Sequence, residues 1–119
     1  SIQYTALRET LEEVGLSPDC FDLLGELGEY CTTSGYCIKP IVAEMTRRSE
    51  LSLCEEEVKS VHWVPLRFLL TPQNYRFKKN KLNPLSLGFF EIDYQDIRIW
   101  GVTAGILYGL YQTLARHLR

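Results

Sequence analysis

Apolar residues return at steps of three and four near the start of the chain, and only a helix gathers Tyr4, Leu7, Leu11 and Val14 on one side. At about 100° per residue, Glu9, Glu12 and Glu13 then project from an arc nearly opposite that stripe. Gly15 stands where a left-handed residue ends a helix, and "SPDC" redirects the chain. The pattern then changes to that of strands. "FDLLGELGEYC" and "YCIKPIVAEM" read as two strands joined by "TTSG", with Pro40 forcing an edge position or a bulge. "TRRSELSLCEEE" reads as a loop, "VKSVHWV" as a third strand by its β-branched and aromatic content, and "PLRFLL" as a short helix closed by Thr71 and Pro72. "NYRFKKNKLNP" reads as a basic loop, and "LGFFEIDY" with "IRIWG" as a second hairpin around "QD". From Val102 the helical spacing returns through Ile106, Leu107, Leu110, Tyr111, Leu114 and Leu118. The expected fold is mixed α/β in one domain over 1–119, with helices on both faces of a small sheet.

Composition narrows the function. With 119 residues, 45% of them hydrophobic and 24% charged, the chain has the make-up of a globular domain. A formal charge of −2 argues against a mainly electrostatic nucleic-acid partner. The uncharged stretch from Ile99 to Leu114 falls short of the ~20 residues that span a bilayer, so no membrane partner is expected. The opening residues do not read as a signal peptide, so none is expected. Cys20, Cys31, Cys37 and Cys54 form no CxxC pair, and His62 and His117 stand apart, which gives a structural zinc site little support. Cys31 and Cys37 flank the first hairpin turn and could bridge. With no sign of secretion, buried reduced thiols are the expectation, in a cytoplasmic protein, or a peroxisomal or mitochondrial one if eukaryotic.

The chemistry concentrates in "RETLEEVGL", Arg8 to Leu16. Glu9 and Glu13, four apart, stack on one helix face with Glu12 beside them. Such a trio of oxygen ligands suits Mg²⁺ or Mn²⁺, and a bound cation relieves the mutual repulsion of the acids. The plainer alternative is a solvated acidic face with an Arg8–Glu12 pair worth ~0.3–0.5 kcal/mol.

That stretch resembles the second half of the Nudix box, Gly-x5-Glu-x7-Arg-Glu-U-x-Glu-Glu-x-Gly-U, where U is a bulky apolar residue. Arg8, Glu9, Glu12, Glu13, Gly15 and Leu16 match it, while Thr10 departs from an apolar position. The first half of the box would lie before Ser1. "EVKSVHWVPLRFLL" is similar to the Nudix segment in which a strand ends in Trp-Val-Pro-Leu. "YCIKPIVAEM" and "FFEIDYQDIRIWGVTAGIL" resemble the coenzyme A diphosphatase branch.

The resemblance implies a Nudix-like α/β/α sandwich lacking its N-terminal strands in this chain, with a homodimer or a preceding segment completing the sheet. It implies Mg²⁺- or Mn²⁺-dependent hydrolysis of a diphosphate in a small nucleotide substrate. The substrate would be coenzyme A or an acyl thioester, giving 3',5'-ADP and 4'-phosphopantetheine or its acyl form. ADP-ribose or another nucleoside diphosphate derivative is the neighbouring alternative, and a silent binding module the distant one. By position, Glu9 and Glu13 would be metal ligands, Glu12 a ligand or water-activating base, and Arg8 the partner of an upstream glutamate. Glu57 could reach the metal or be a solvated acid. Arg76, Lys78, Lys79 and Lys81 could grip phosphates or keep a loop solvated. Trp63 and Trp100 are expected in the core rather than on adenine. Gly101, Gly105 and Gly109 are expected to let the last helix pack closely. His62 reads as structural and without a partner.

Overall fold

A computed structural model describes residues 1–32, 34–56, 58, 60–79 and 88–117. They contain α1 (Ile2–Val14), β1 (Phe21–Glu26), β2 (Tyr30–Cys31), β3 (Cys37–Ile38), β4 (Ile41–Met45), α2 (Leu66–Leu69), β5 (Tyr75–Lys78), β6 (Phe89–Tyr94), β7 (Ile97–Trp100) and α3 (Gly101–His117). The fold is mixed α/β, as expected. Two compact units divide it: Ser1–Glu26 with Ile41–Trp63, and Leu27–Pro40 with Val64–Arg119. No helix among the described residues is long and apolar enough to cross a membrane.

In the first unit α1 is closed at both ends. The Ser1 hydroxyl accepts the Tyr4 N–H at 3.1 Å, and Gly15, at φ +80°, donates its N–H to Leu11 O. β1 and β4 pair antiparallel from Phe21↔Met45 to Glu26↔Ile41, with a bulge between Leu23 and Gly25. α1 turns Ala6, Leu7 and Thr10 toward this ribbon, across a hollow of about 230 Å³. Thr10, the departure from an apolar position, fits because its hydroxyl donates to Ala6 O at 2.8 Å. The expected stripe is therefore only partly covered: Leu7 and Val14 are half-buried, while Tyr4 and Leu11 are exposed.

In the second unit β5, β6 and β7 form an antiparallel sheet in that order. α3 packs on one face, where Ile92 and Ala104 are fully buried. Phe90 stacks on Tyr108 at 4.3 Å, and Tyr75 meets both rings edge-on. Burial pushes the Tyr75 hydroxyl up to about 12, and it donates to Leu69 O. β2 and β3 make a short ribbon of their own. Gly105 supports the close-packing expectation, since a Cβ there would lie 2.5 Å from the Tyr30 hydroxyl oxygen; none would meet anything at Gly101 or Gly109.

Several expectations are corrected. The described strands form three separate sheets rather than one. Each arm of the first hairpin is two strands, because residues 27–29 and 39–40 leave the ladder around Pro40, which has no N–H to donate. The described part of "VKSVHWV" is not a strand: Val58 donates to Cys54 O in a local turn, and residues 60–64 have no ladder partner. Part of the basic loop is β5, because Tyr75 and Phe77 point to the α3 face while Arg76 and Lys78 point away. Cys31 and Cys37 are not reduced and buried but disulfide-bonded and exposed, being direct cross-strand partners with Cα atoms 4.0 Å apart. Cys20 and Cys54 are free thiols. Trp63 and Trp100 are exposed rather than core: Trp63 lies in coil, and Trp100 shares its strand face with Arg98. His62 has a partner, the Ser60 hydroxyl at 3.0 Å.

Candidate active site

The helix that carries Arg8, Glu9, Glu12 and Glu13 is fixed at its C-terminal end by a returning loop. Ser52 N–H donates to Val14 O at 2.9 Å and Cys54 N–H to Glu13 O at 2.7 Å, satisfying carbonyls that a helix end leaves open. Gly15 is required twice there: its φ is left-handed, and a Cβ would come within 2.9 Å of Ser52. The loop thus clamps the turn that bears Glu12 and Glu13.

Glu9 and Glu12 are exposed and Glu13 is half-buried. Arg8 Nε lies 4.0 Å from Glu12 Oε1, at the outer limit of an ion pair, with both side chains more than half exposed. Such a contact is worth no more than ~0.5 kcal/mol. Among the described residues Glu9 and Glu13 form no ion pair, so their oxygens remain open to a cation. The carboxylates project separately: no three of their ligand atoms fall within 4.8 Å of one another. The donor set nevertheless suits an oxygen-seeking divalent ion, since every candidate donor is a hard carboxylate. Glu57, the other acid considered for this centre, lies outside the described residues, as does Lys81.

The expected phosphate-gripping cations lie in the second unit. Lys79 is exposed just beyond β5. Arg76 and Lys78 instead turn onto a carboxylate that the sequence reading passed over. Glu91, on β6, is only 2% exposed, although it lies on the sheet face opposite α3. Its Oε1 accepts from Arg76 Nη2 at 2.7 Å and pairs with Lys78 Nζ at 3.3 Å; its Oε2 accepts from Arg98 Nε at 2.7 Å. Arg76 also pairs with Asp93, and Arg98 lies over the Trp100 ring at 5.3 Å. The Arg98 guanidinium, with Lys78, holds the Glu91 carboxyl below its ordinary range against the opposing effect of burial. The signal was present in "YRFK", "FFEID" and "IRIW": cations on β5 and β7 alternate in step with acids on β6.

Comparison with known proteins bears on the α1 cluster first. Residues 1–85 match the family model of the NUDIX domain. The probable nudix hydrolase C6G9.05 of Schizosaccharomyces pombe is 36% identical over 105 residues, covering 87% of this chain and 36% of that protein. The Nudix hydrolase NudL of Photorhabdus laumondii is 32% identical over 112 residues, covering 94% of this chain and 60% of that protein. The corresponding NudL of Escherichia coli is 29% identical over 111 residues, covering 90% and 56%. The chain therefore spans between about a third and three fifths of the length of these relatives. A domain match over more than half of its residues, with the half-box on a helix clamped at Gly15, decides the family: this chain belongs to the Nudix superfamily.

Proposed function

We propose that the protein containing this domain is a divalent-metal-dependent diphosphatase whose substrate is coenzyme A or an acyl thioester of it. It cleaves the diphosphate to 3',5'-ADP and 4'-phosphopantetheine or the acyl form. The observation that carries the reading is the acidic arc of α1, where Glu9 and Glu12 are exposed, Glu13 is half-buried and none forms a strong ion pair among the described residues. The choice of coenzyme A is supported by the Ile-Trp-Gly-Val-Thr-Ala stretch at the junction of β7 and α3. There Trp100 ends the strand, Gly101 opens the helix at φ +64° and Ala104 is fully buried.

Glu9 and Glu13, with Glu12, would hold Mg²⁺ or Mn²⁺. The bound ion would lower the pKa of a water and neutralise charge developing on the diphosphate. The carboxylates act as a group to take the proton of the attacking water as a P–O bond forms and the bridging P–O bond breaks. Arg8 orients a neighbouring acid.

The test is release of 3',5'-ADP from coenzyme A by the full-length protein, with and without divalent cation and with ADP-ribose run in parallel. Activity should require the cation and fall by on the order of 10²-fold or more in Glu13→Gln. Undiminished turnover in that variant would remove Glu13 from the machinery. Faster turnover of ADP-ribose would reassign the substrate, and binding without turnover would make the domain a silent module.

A further inference from the structure

Outside α1, the described residues include one cluster of side chains with metal-ligand chemistry that plays no part in the proposed reaction. Glu29, Cys31 and Cys37 are all exposed, and their ligand atoms lie within 4.8 Å of one another. The Cys31 sulfur is 3.4 Å from Glu29 Oε1. The sulfurs are joined as a disulfide, and the ribbon that carries them also has backbone pairing of its own. Cys31 and Cys37 are paired in register, Tyr30 pairs with Ile38, and at the turn Thr32 N–H donates to Tyr36 O at 2.7 Å. That register places both cysteine side chains on one face of the hairpin. The closed loop is also short, six residues in sequence separation, so the bridge restricts the unfolded chain little. Its exposure opens it to a soluble thiol.

We propose that Glu29, Cys31 and Cys37 form a redox-gated site for a thiophilic divalent cation of the zinc class, closed when the cysteines are bridged and open when they are reduced. Opening consumes two electrons and two protons from a dithiol reductant: the S–S bond breaks, two thiols form, and the reductant leaves as its own disulfide. Metal binding then displaces both thiol protons, giving two thiolate ligands and one carboxylate with a fourth tetrahedral position for water. This differs from a structural zinc site, which has four protein ligands and is needed for folding. It also differs from the α1 centre, whose carboxylates select hard cations.

Cobalt(II) is the probe, because thiolate ligation gives it a near-ultraviolet charge-transfer band and tetrahedral coordination gives intense visible bands. Cys20 and Cys54 are free thiols already, so the oxidised protein is an internal control in which only Cys31 and Cys37 differ. The reduced protein should bind one Co²⁺ with both signatures, lose it to Zn²⁺, and show neither signature when oxidised. Cys54→Ser should leave this unchanged. Glu29→Gln, an exposed substitution that keeps both sulfurs, should weaken binding about tenfold or more. Equal cobalt binding by the oxidised and reduced forms, absence of the thiolate band after reduction, or unchanged affinity in Glu29→Gln would each overturn the proposal.

Discussion

Glu91 is the one charged residue buried among those described. Its carboxylate is enclosed by Arg76, Lys78 and Arg98, all on neighbouring strands and each more than half exposed. The cations cover the acid with their stems while keeping their charged heads near water. Because the neighbouring cations lower the folded-state pKa below the ordinary 4.5, the linkage has a definite sign. The stabilisation is complete above about pH 4.5 and is lost as pH falls through the lower folded value. Glu91→Gln should therefore melt at a lower temperature than the parent near neutral pH, and the gap should close as the solution is acidified below about pH 4.5. Thermal melts followed by circular dichroism across that range check it; a gap that persists unchanged into acid would show that packing, not charge, is what the substitution removed. The α1 acids present the contrary case. Glu9 is exposed and Glu13 half-buried, and neither forms an ion pair among the described residues.

At the scale of elements, the β6–β7 hairpin turns through Gln95 and Asp96, and Gln95 sits at φ +55°, the one non-glycine described residue with positive φ. The left-handed conformation costs an ordinary side chain about 1–2 kcal/mol, and glycine there returns about 0.5–1 kcal/mol of that as unfolded-state entropy. Gln95→Gly should stabilise the second unit by roughly 0.5–1 kcal/mol, read as a higher urea midpoint with an unchanged slope. A lower midpoint would mean that the Gln95 side chain contributes more to the turn than its backbone strain costs. This turn was visible in the sequence as "QD" between two β-rich runs, and α1 was visible because its period and the stop at Gly15 agree, while its cap at Ser1 came only with the structure. α2 was legible from its closure at Thr71 and Pro72, and α3 from the helical spacing after Val102, one residue past its observed start at Gly101. β5 was not, because its four residues carry two cations, and charge reads as loop unless the partner strand that neutralises it is known. The segment 58–64 failed in the opposite way: its composition favours a strand, but a strand exists only when another backbone meets its N–H and C=O groups. The disulfide depended on register, and spacing alone could not supply it. In the site, the motif identified the acids on α1, but no local pattern could reveal that Ser52 and Cys54 return to clamp the helix end.

Across the whole molecule, burial is distributed unevenly, and stability should follow it. In the second unit Ile92, Glu91 and Ala104 are at most 2% exposed and are joined by an aromatic cluster of Tyr75, Phe90 and Tyr108. In the first, no residue of α1 is buried, and among its described residues only Leu16 and Cys20 are. Ile2, Tyr4, Leu11, Leu23 and Leu24 leave large apolar surfaces in water, where full burial of such side chains would each contribute about 1.5–3 kcal/mol. Local opening is governed by that deficit, since a helix of 13 residues is marginal without tertiary cover. Native-state hydrogen exchange on this chain should accordingly show the amides of β6 and the middle of α3 as the slowest, with α1 exchanging through a separate, lower-energy opening. The caps at Ser1 and Gly15 and the clamp from Ser52 and Cys54 should slow exchange at the two ends of α1 relative to an isolated peptide, without raising it to the level of the sheet. If α1 instead exchanged as slowly as β6, the exposed apolar residues would have to be covered in solution, by another segment or another copy. Repeating the exchange over a range of protein concentrations separates those two covers, because only association between copies would make α1 protection rise with concentration.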